Sequence, residues 1–322
     1  MKKVAIILFL FSFNLFSQDL KKVDKIIKSY PYINSIEKLA KKIDYDFNTK
    51  IEKIRATYTW LALNIEYYKE QKKTLDAPQY ILYSDKRDLE RRLKILKKNK
   101  NEKIISNTFT TRRGLCEGYA LIFNKICDLL NIENQLIKGF VKTNPYEISY
   151  IPKNKNHIWN AVKLNNNWMF FDATFGAGYV LNGKWTHKLE SFYFNIKKEN
   201  LNQSHFPSEQ KWLIHMNQKP LKLFSEKPVF SIPFLLTKAK LLSHKEGEII
   251  TNKREKIILK IKGLSPDIEI SYSYAIEKNY QIAFSRNYSS YRKIVLNSPN
   301  KSANLNIYFN SKLALQYKVL VQ

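Results

Sequence analysis

Cys116 is one of only two cysteines in 322 residues, and it stands where a nucleophile would be placed. The stretch Arg113-Gly114-Leu115-Cys116-Glu117-Gly118-Tyr119-Ala120 opens a helical run through Leu121, Phe123, Ile126, Leu129 and Leu130. A cysteine attacks as its thiolate, and the unpaired N–H groups and dipole of a helix start favour an anion there. Arg112 and Arg113 add positive charge just upstream, and Gly114 permits the turn into the helix. Cys127, mid-helix among apolar residues, reads as a buried structural thiol. On one helix, positions 116 and 127 stand roughly 16 Å apart at about 1.5 Å per residue, whereas a disulfide spans at most ~7 Å. At least one thiol is therefore expected to be free.

A thiol needs a base that takes its proton and returns it to the leaving group, and imidazole does this near neutral pH. His157 begins an apolar strand, His157 to Leu164, and Asp172 ends a second, Trp168 to Asp172, with Asn165-Asn166-Asn167 between them. Asparagine tolerates the left-handed backbone of tight turns, so the three predict a hairpin that brings His157 and Asp172 near each other. The carboxylate would then fix the tautomer and orientation of the imidazole. This depends on register, because a slip of one residue sends the two side chains to opposite faces. Singly, each residue type is commoner in a structural role. Together they form a Cys-His-Asp order suited to acyl transfer through a thioester. Neither a serine nucleophile motif, a phosphate loop nor a His-x-x-x-His competes, and the scattered His187, His205, His215 and His244 read as structural.

At these residues the chain resembles the transglutaminase-like superfamily, and within it the kyphoscoliosis-peptidase-like branch. The resemblance lies in Arg113 to Ala120, in His157-Ile158-Trp159-Asn160-Ala161-Val162, and in Trp168-Met169-Phe170-Phe171-Asp172-Ala173-Thr174. Ala56 to Tyr67 is similar to the helix preceding the core in that branch, and His205-Phe206-Pro207 leading to Trp212 to the segment closing it. The resemblance implies a papain-like α+β core over about residues 50–215, with Cys116 as nucleophile, His157 as base and Asp172 as its partner. It also implies a protein or peptide amide as substrate, with water as acceptor giving a peptidase or amidase and an amine giving a cross-link. The branch usually has Thr-Trp after this Asp, where Ala173-Thr174-Phe175 stand here. The backbone N–H of Cys116 is a candidate oxyanion donor by position. No metal or other cofactor is expected, since calcium needs a clustered carboxylate loop and none is visible.

The elements that must hold these residues follow from periodicity. Apolar spacing is helical from Asp19 to about Tyr68, with Ser35 and Asn48 as N-caps. Residues 69–103 are dominated by charge and read as an exposed helix or a mobile insertion. Beyond Pro220 the pattern is β throughout, in runs Ile257–Ile261, Ile268–Tyr274, Arg292–Leu296, Asn304–Phe309 and Leu313–Val321, which suggests a small sandwich. The expected organisation is a signal peptide at 1–17, a transglutaminase-like domain at 18–219 and a C-terminal β-sandwich-like domain at 220–322. The fold class is α+β.

Lys2 and Lys3, the apolar stretch Val4 to Phe16 and Phe16-Ser17-Gln18 form an export signal too short to span a bilayer. A periplasmic or secreted protein without a transmembrane segment after cleavage is expected. The formal charge of +27 favours anionic surfaces such as an anionic envelope polymer, although a lysine excess dispersed along the whole chain reads first as solvated surface, and no zinc-finger spacing or recognition helix points to specific nucleic-acid binding. The function expected is thus an exported cysteine acyl-transfer enzyme. The rival is a catalytically silent interaction module of the envelope that keeps the fold.

Overall fold

The computed structural model describes residues 20–68, 83–181, 183–275 and 280–322. The export signal and the first part of the charged insertion, residues 69–82, lie outside them. The chain packs as two units, one running to Ile137 and resuming at His157–Ile196, the other made of Lys138–Asn156 and Lys197–Gln322.

The first unit begins with helix α1 (20–28) and α2 (Ile36–Asp46), the latter capped by the Ser35 hydroxyl, which accepts from the Lys38 N–H at 3.2 Å. In α3 (Lys50–Asn64) the cap lies one residue beyond Asn48, at Thr49, because Thr49 and Glu52 form a reciprocal capping box. Every residue of α3 from Ile54 to Ala62 is buried, so this helix is covered all round. That burial includes Arg55, whose guanidinium forks onto Asp24 of α1 at 2.8 and 2.7 Å and donates to Ser191 at 2.7 Å.

Strand β1 (Glu66–Tyr67) pairs in parallel with β2 (Arg113–Gly114), setting Tyr67 opposite Gly114. Between them runs α4 (Lys86–Thr111), started by the Asp85 cap. From Lys86 the charged segment is therefore a helix, and it continues past 103. Its last turns bury Ile105, Thr108 and Phe109, with Phe109 stacked on Trp60 at 5.1 Å. Arg112, not Gly114, makes the left-handed turn into the next helix, at φ 58°. Gly114 is needed for closeness instead, since a Cβ there would meet the Thr108 methyl at 2.6 Å.

Helix α5 (Cys116–Leu129) follows, then the start of β3 (Asn134–Val141) and the antiparallel hairpin β4 (His157–Leu164) and β5 (Asn167–Phe171). Asn165 and Asn166 take φ of 49° and 62°, the double left-handed turn of a two-residue hairpin loop. A second hairpin, β6 (Gly178–Leu181) and β7 (Lys184–His187), completes the unit's sheets.

In the second unit the far half of β3 pairs with β8 (His205–Pro207), between α6 (Lys198–Ser204) and α7 (Gln210–Met216). The β pattern expected beyond Pro220 is interrupted by α8 (Leu221–Glu226) and α9 (Ile232–Leu236), because short apolar runs do not reveal their period. The remainder forms two sheets. One has the order β10 (Lys240–Leu241), β12 (Lys256–Lys262), β16 (Arg292–Asn297), β15 (Phe284–Asn287). The other runs β11 (Glu248–Thr251), β18 (Lys312–Val321), β17 (Ala303–Phe309), β13 (Ile270–Tyr274), β14 (Gln281–Ile282), with β9 (Val229–Phe230) on β18. Ile257, Leu259, Ile261, Ile294 and Leu296 of the first and Leu305, Ile307, Tyr317 and Val319 of the second are buried, the one-sided burial that a C-terminal sandwich needs. Among the described residues no helix is long and apolar enough to cross a membrane.

Candidate functional site

Cys116 is the first residue of α5, after Leu115, which supplies no side-chain cap. Its thiol is half-buried, Cys127 is fully buried, and both are free, as their spacing required. Burial pushes the Cys127 thiol far up, so it stays protonated and inert.

His157 and Asp172 meet directly, with imidazole Nε2 2.6 Å from the carboxylate Oδ2. The register explains it. Asn160 lies opposite Phe171 and Ala161 opposite Phe170, so Asp172, one step past the ladder, falls on the side of Trp159 and hence of His157. The other carboxylate oxygen, Oδ1, accepts the backbone N–H groups of Thr174 and Phe175, both at 2.9 Å, and the Asp172 N–H donates to the Tyr193 carbonyl at 3.1 Å. The carboxylate is therefore held from two sides before it orients the imidazole. The Phe175 ring lies 4.8 Å from the imidazole and Trp159 6.1 Å, on an almost wholly buried histidine.

Cys116 stands close enough to this imidazole to help hold its proton. All three residues singled out in the sequence thus converge. Burial alone would push His157 down, but the charge and hydrogen bond of Asp172, joined by those of Cys116, raise it from 6.5 to about 10. The protonated form of the ring is thus favoured, held between the Asp172 carboxylate and the Cys116 sulfur.

Upstream charge is arranged differently from expectation. The Arg112 guanidinium turns onto the rings of Phe109, Trp60 and Tyr32 at 4.3, 4.7 and 5.2 Å and donates to the Ile33 carbonyl at 2.6 Å. Arg113 pairs with Glu66 at 3.1 Å. Both serve packing, since aromatic faces and a carbonyl outbid the helix start for them.

Sequence reasoning missed Tyr67, Thr174 and Phe175. The β1–β2 pairing sets Tyr67 by the start of α5, where burial first, then the charges of Cys116 and Asp172, push its phenol up. Its position was hidden by the long excursion through α4. The Thr174 and Phe175 contacts could have been read as an Asx turn, in which Asp accepts from the N–H two residues on. Tyr58 and Tyr193 also feel the Asp172 charge, and Tyr58 donates to the Glu190 carbonyl at 2.7 Å. Of the other histidines, His187 reaches the Ala62 carbonyl at 3.0 Å, His205 the Ser204 hydroxyl at 2.8 Å and His244 the Ser243 hydroxyl at 3.3 Å. His215 packs edge-on to Trp212.

Residues 86–173, which contain Cys116, His157 and Asp172, match the family model of the transglutaminase-like superfamily. This stretch is similar to a transglutaminase-like core. Among curated proteins it is similar to kyphoscoliosis peptidase of Homo sapiens, 23% identical over 260 residues, which are 80% of this chain and 36% of that protein. It is also similar to Lim and transglutaminase domain protein ltd-1 of Caenorhabditis elegans, 25% identical over 167 residues, 48% of this chain and 22% of that one. The chain thus spans about a third of the human relative's length. A solved transglutaminase structure, 13% identical, covers 48% of this chain and 34% of its own at a TM-score of 0.27, a likeness too slight to argue from. The superfamily match begins at α4, so the charged helix lies within the matched stretch.

Proposed function

We propose that the chain is an exported cysteine acyl-transfer enzyme acting on protein or peptide amides. The observation that carries this reading is the buried His157–Asp172 contact of 2.6 Å, with Cys116 close enough to the same ring to raise its hold on the proton. The Cys116 thiol proton passes to His157, Sγ attacks the amide carbonyl as the thiolate, and the resulting oxyanion is met by the N–H of Cys116 and the phenol of Tyr67. The C–N bond then breaks, His157 gives its proton to the departing amine, and a thioester remains on Sγ. Water or a second amine, deprotonated by His157, attacks the thioester and returns the thiol. The carboxylate of Asp172 holds the ring in place throughout. Export is supported by the basic and apolar leader at residues 1–17, whose removal leaves every described residue in place.

The test is twofold. Iodoacetamide should alkylate Cys116 and spare Cys127, and a Cys116 that reacts no faster than an ordinary thiol near neutral pH overturns the reading. Wild type and Cys116→Ala are then incubated with an envelope extract, with and without an amine donor. New peptide ends identify a peptidase and amine incorporation a cross-linker, while identical products from both proteins mean a silent interaction module.

A further inference from the structure

The four-stranded sheet of the second unit has one face turned into the sandwich and one turned out, and the outer face carries a set of cations around the row Ile258, Val295 and Phe284. Register fixes its membership. Lys262 lies opposite Lys240, and Lys260 lies opposite Lys293, which lies opposite Arg286. Lys256 adds a sixth cation opposite Asn297, whose side-chain oxygen it contacts. The alternate positions Ile257, Leu259 and Ile261 are buried, so all six cations share the outer side. Five are exposed and Lys293 is half-buried.

Among the described residues no carboxylate occupies this face. The nearest acid along β12, Glu255, is turned back onto the Asn252 N–H at 3.0 Å and the Thr251 hydroxyl at 3.2 Å. Like charges directly opposite one another across a ladder destabilise it, and here three stand side by side on neighbouring strands. Two of them lean on a stacked tyrosine pair. Lys260 lies over Tyr291 at 5.4 Å and Arg286 over Tyr288 at 5.6 Å, with the two rings 5.0 Å apart. At the sheet edge the chain crosses from β14 to β15 and exposes Tyr280, Ile282 and Phe284 at 68%, 81% and 69%.

We propose that this face docks on an anionic phospholipid surface, the cations meeting headgroups while Ile282 and Phe284 enter the interface. Charge complementarity selects an anionic partner, and the exposed aliphatic and aromatic edge selects lipid. A solvated acidic polymer would match the cations but leave Phe284 and the neighbouring Ile282 in water, whereas a bilayer accepts basic groups together with an apolar edge beside them. The general charge excess, read from the sequence as solvated surface and as favouring an anionic envelope polymer, thereby acquires a location and a narrower partner.

The test uses the chain from Gln18, which lacks the apolar leader and keeps every described residue. Its co-sedimentation is measured with vesicles of phosphatidylcholine alone or mixed with phosphatidylglycerol. Binding is expected only to the mixed vesicles, weakened by salt and reduced at least ~tenfold in Lys260→Glu/Lys293→Glu. The neutral pair Lys260→Gln/Lys293→Gln should fall between, with an unchanged melting temperature showing that the fold survives. Ile282→Ser/Phe284→Ser should lose the part of binding that salt leaves. Lys97→Glu/Lys98→Glu, an equal charge change on the exposed side of α4, should bind as wild type. Equal binding to both vesicle types, equal loss in the α4 variant, or capture by polygalacturonate in place of vesicles each overturns the proposal.

Discussion

Gly118 of α5 lies so close under Thr108 of α4 that a Cβ on the glycine would run into the threonine hydroxyl and methyl. The same side chain closes on Gly114, so one threonine sets both the chain before Cys116 and the first turn after it. Gly118→Ala should therefore cost about 1–3 kcal/mol through overpacking, although alanine is the better helix former. Thermal unfolding measures the loss, and an unchanged or raised melting temperature would show that Thr108 yields. Thr108→Ala/Gly118→Ala should recover most of it.

Asp172→Asn removes the charge that raises His157 while preserving shape. The turnover of the variant should fall by about 10²- to 10⁴-fold. The alkaline limb of kcat/KM should move down from near 10 toward or below the ordinary histidine value, because burial then acts unopposed. A limb that stays in place would show that Asp172 does not govern the imidazole.

The same pair makes stability depend on pH with a definite sign. The folded value of His157 is raised, from 6.5 to about 10, so the folded state holds the proton more tightly. Its contribution is fully present below about 6.5 and is lost as pH rises through about 10. Urea unfolding between these values should show stability from this pair declining with pH, and His157→Gln should remove that component of the slope.

Tyr67→Phe tests the second oxyanion donor. The fold should be kept, because the ring stays against Trp185 at 5.8 Å, and kcat should drop by about 10- to 10³-fold with KM little changed. Alkylation of Cys116 by iodoacetamide should be nearly unaffected, since no oxyanion forms there. A rise in KM alone would mean that the phenol contacts substrate elsewhere.

Arg55 should be structural rather than catalytic. Its side chain is 3% exposed and forks onto Asp24 at 16%, so Arg55→Ala leaves a carboxylate poorly matched and should cost about 3–5 kcal/mol. Arg55→Met/Asp24→Leu should cost much less, since both charges leave together. Thermal melts of the two variants decide between these outcomes.

The α+β core and the C-terminal sheets were legible in the sequence because periodicity is a local property. Apolar spacing gave α2, α3 and α5, and alternation gave β12, β13 and β16 to β18. Helices α8 and α9 escaped because runs of five or six residues show no period. The continuation of α4 into the core escaped because its charge masked the three residues it buries.

For the candidate site the sequence by itself determined Cys116 at a helix start and a hairpin with His157 and Asp172 at its two ends, while the ladder and its two-residue Asn165-Asn166 turn decided that both side chains share a face. Tertiary structure alone decided that the thiol meets the imidazole, that Thr174 and Phe175 brace the carboxylate, that Tyr67 stands beside them, and that Arg112 turns toward aromatic rings. It also decided that six dispersed cations form one face. Each of these depends on how separate elements pack, and packing is set by the close fit of surfaces far apart along the chain, which no local spacing encodes.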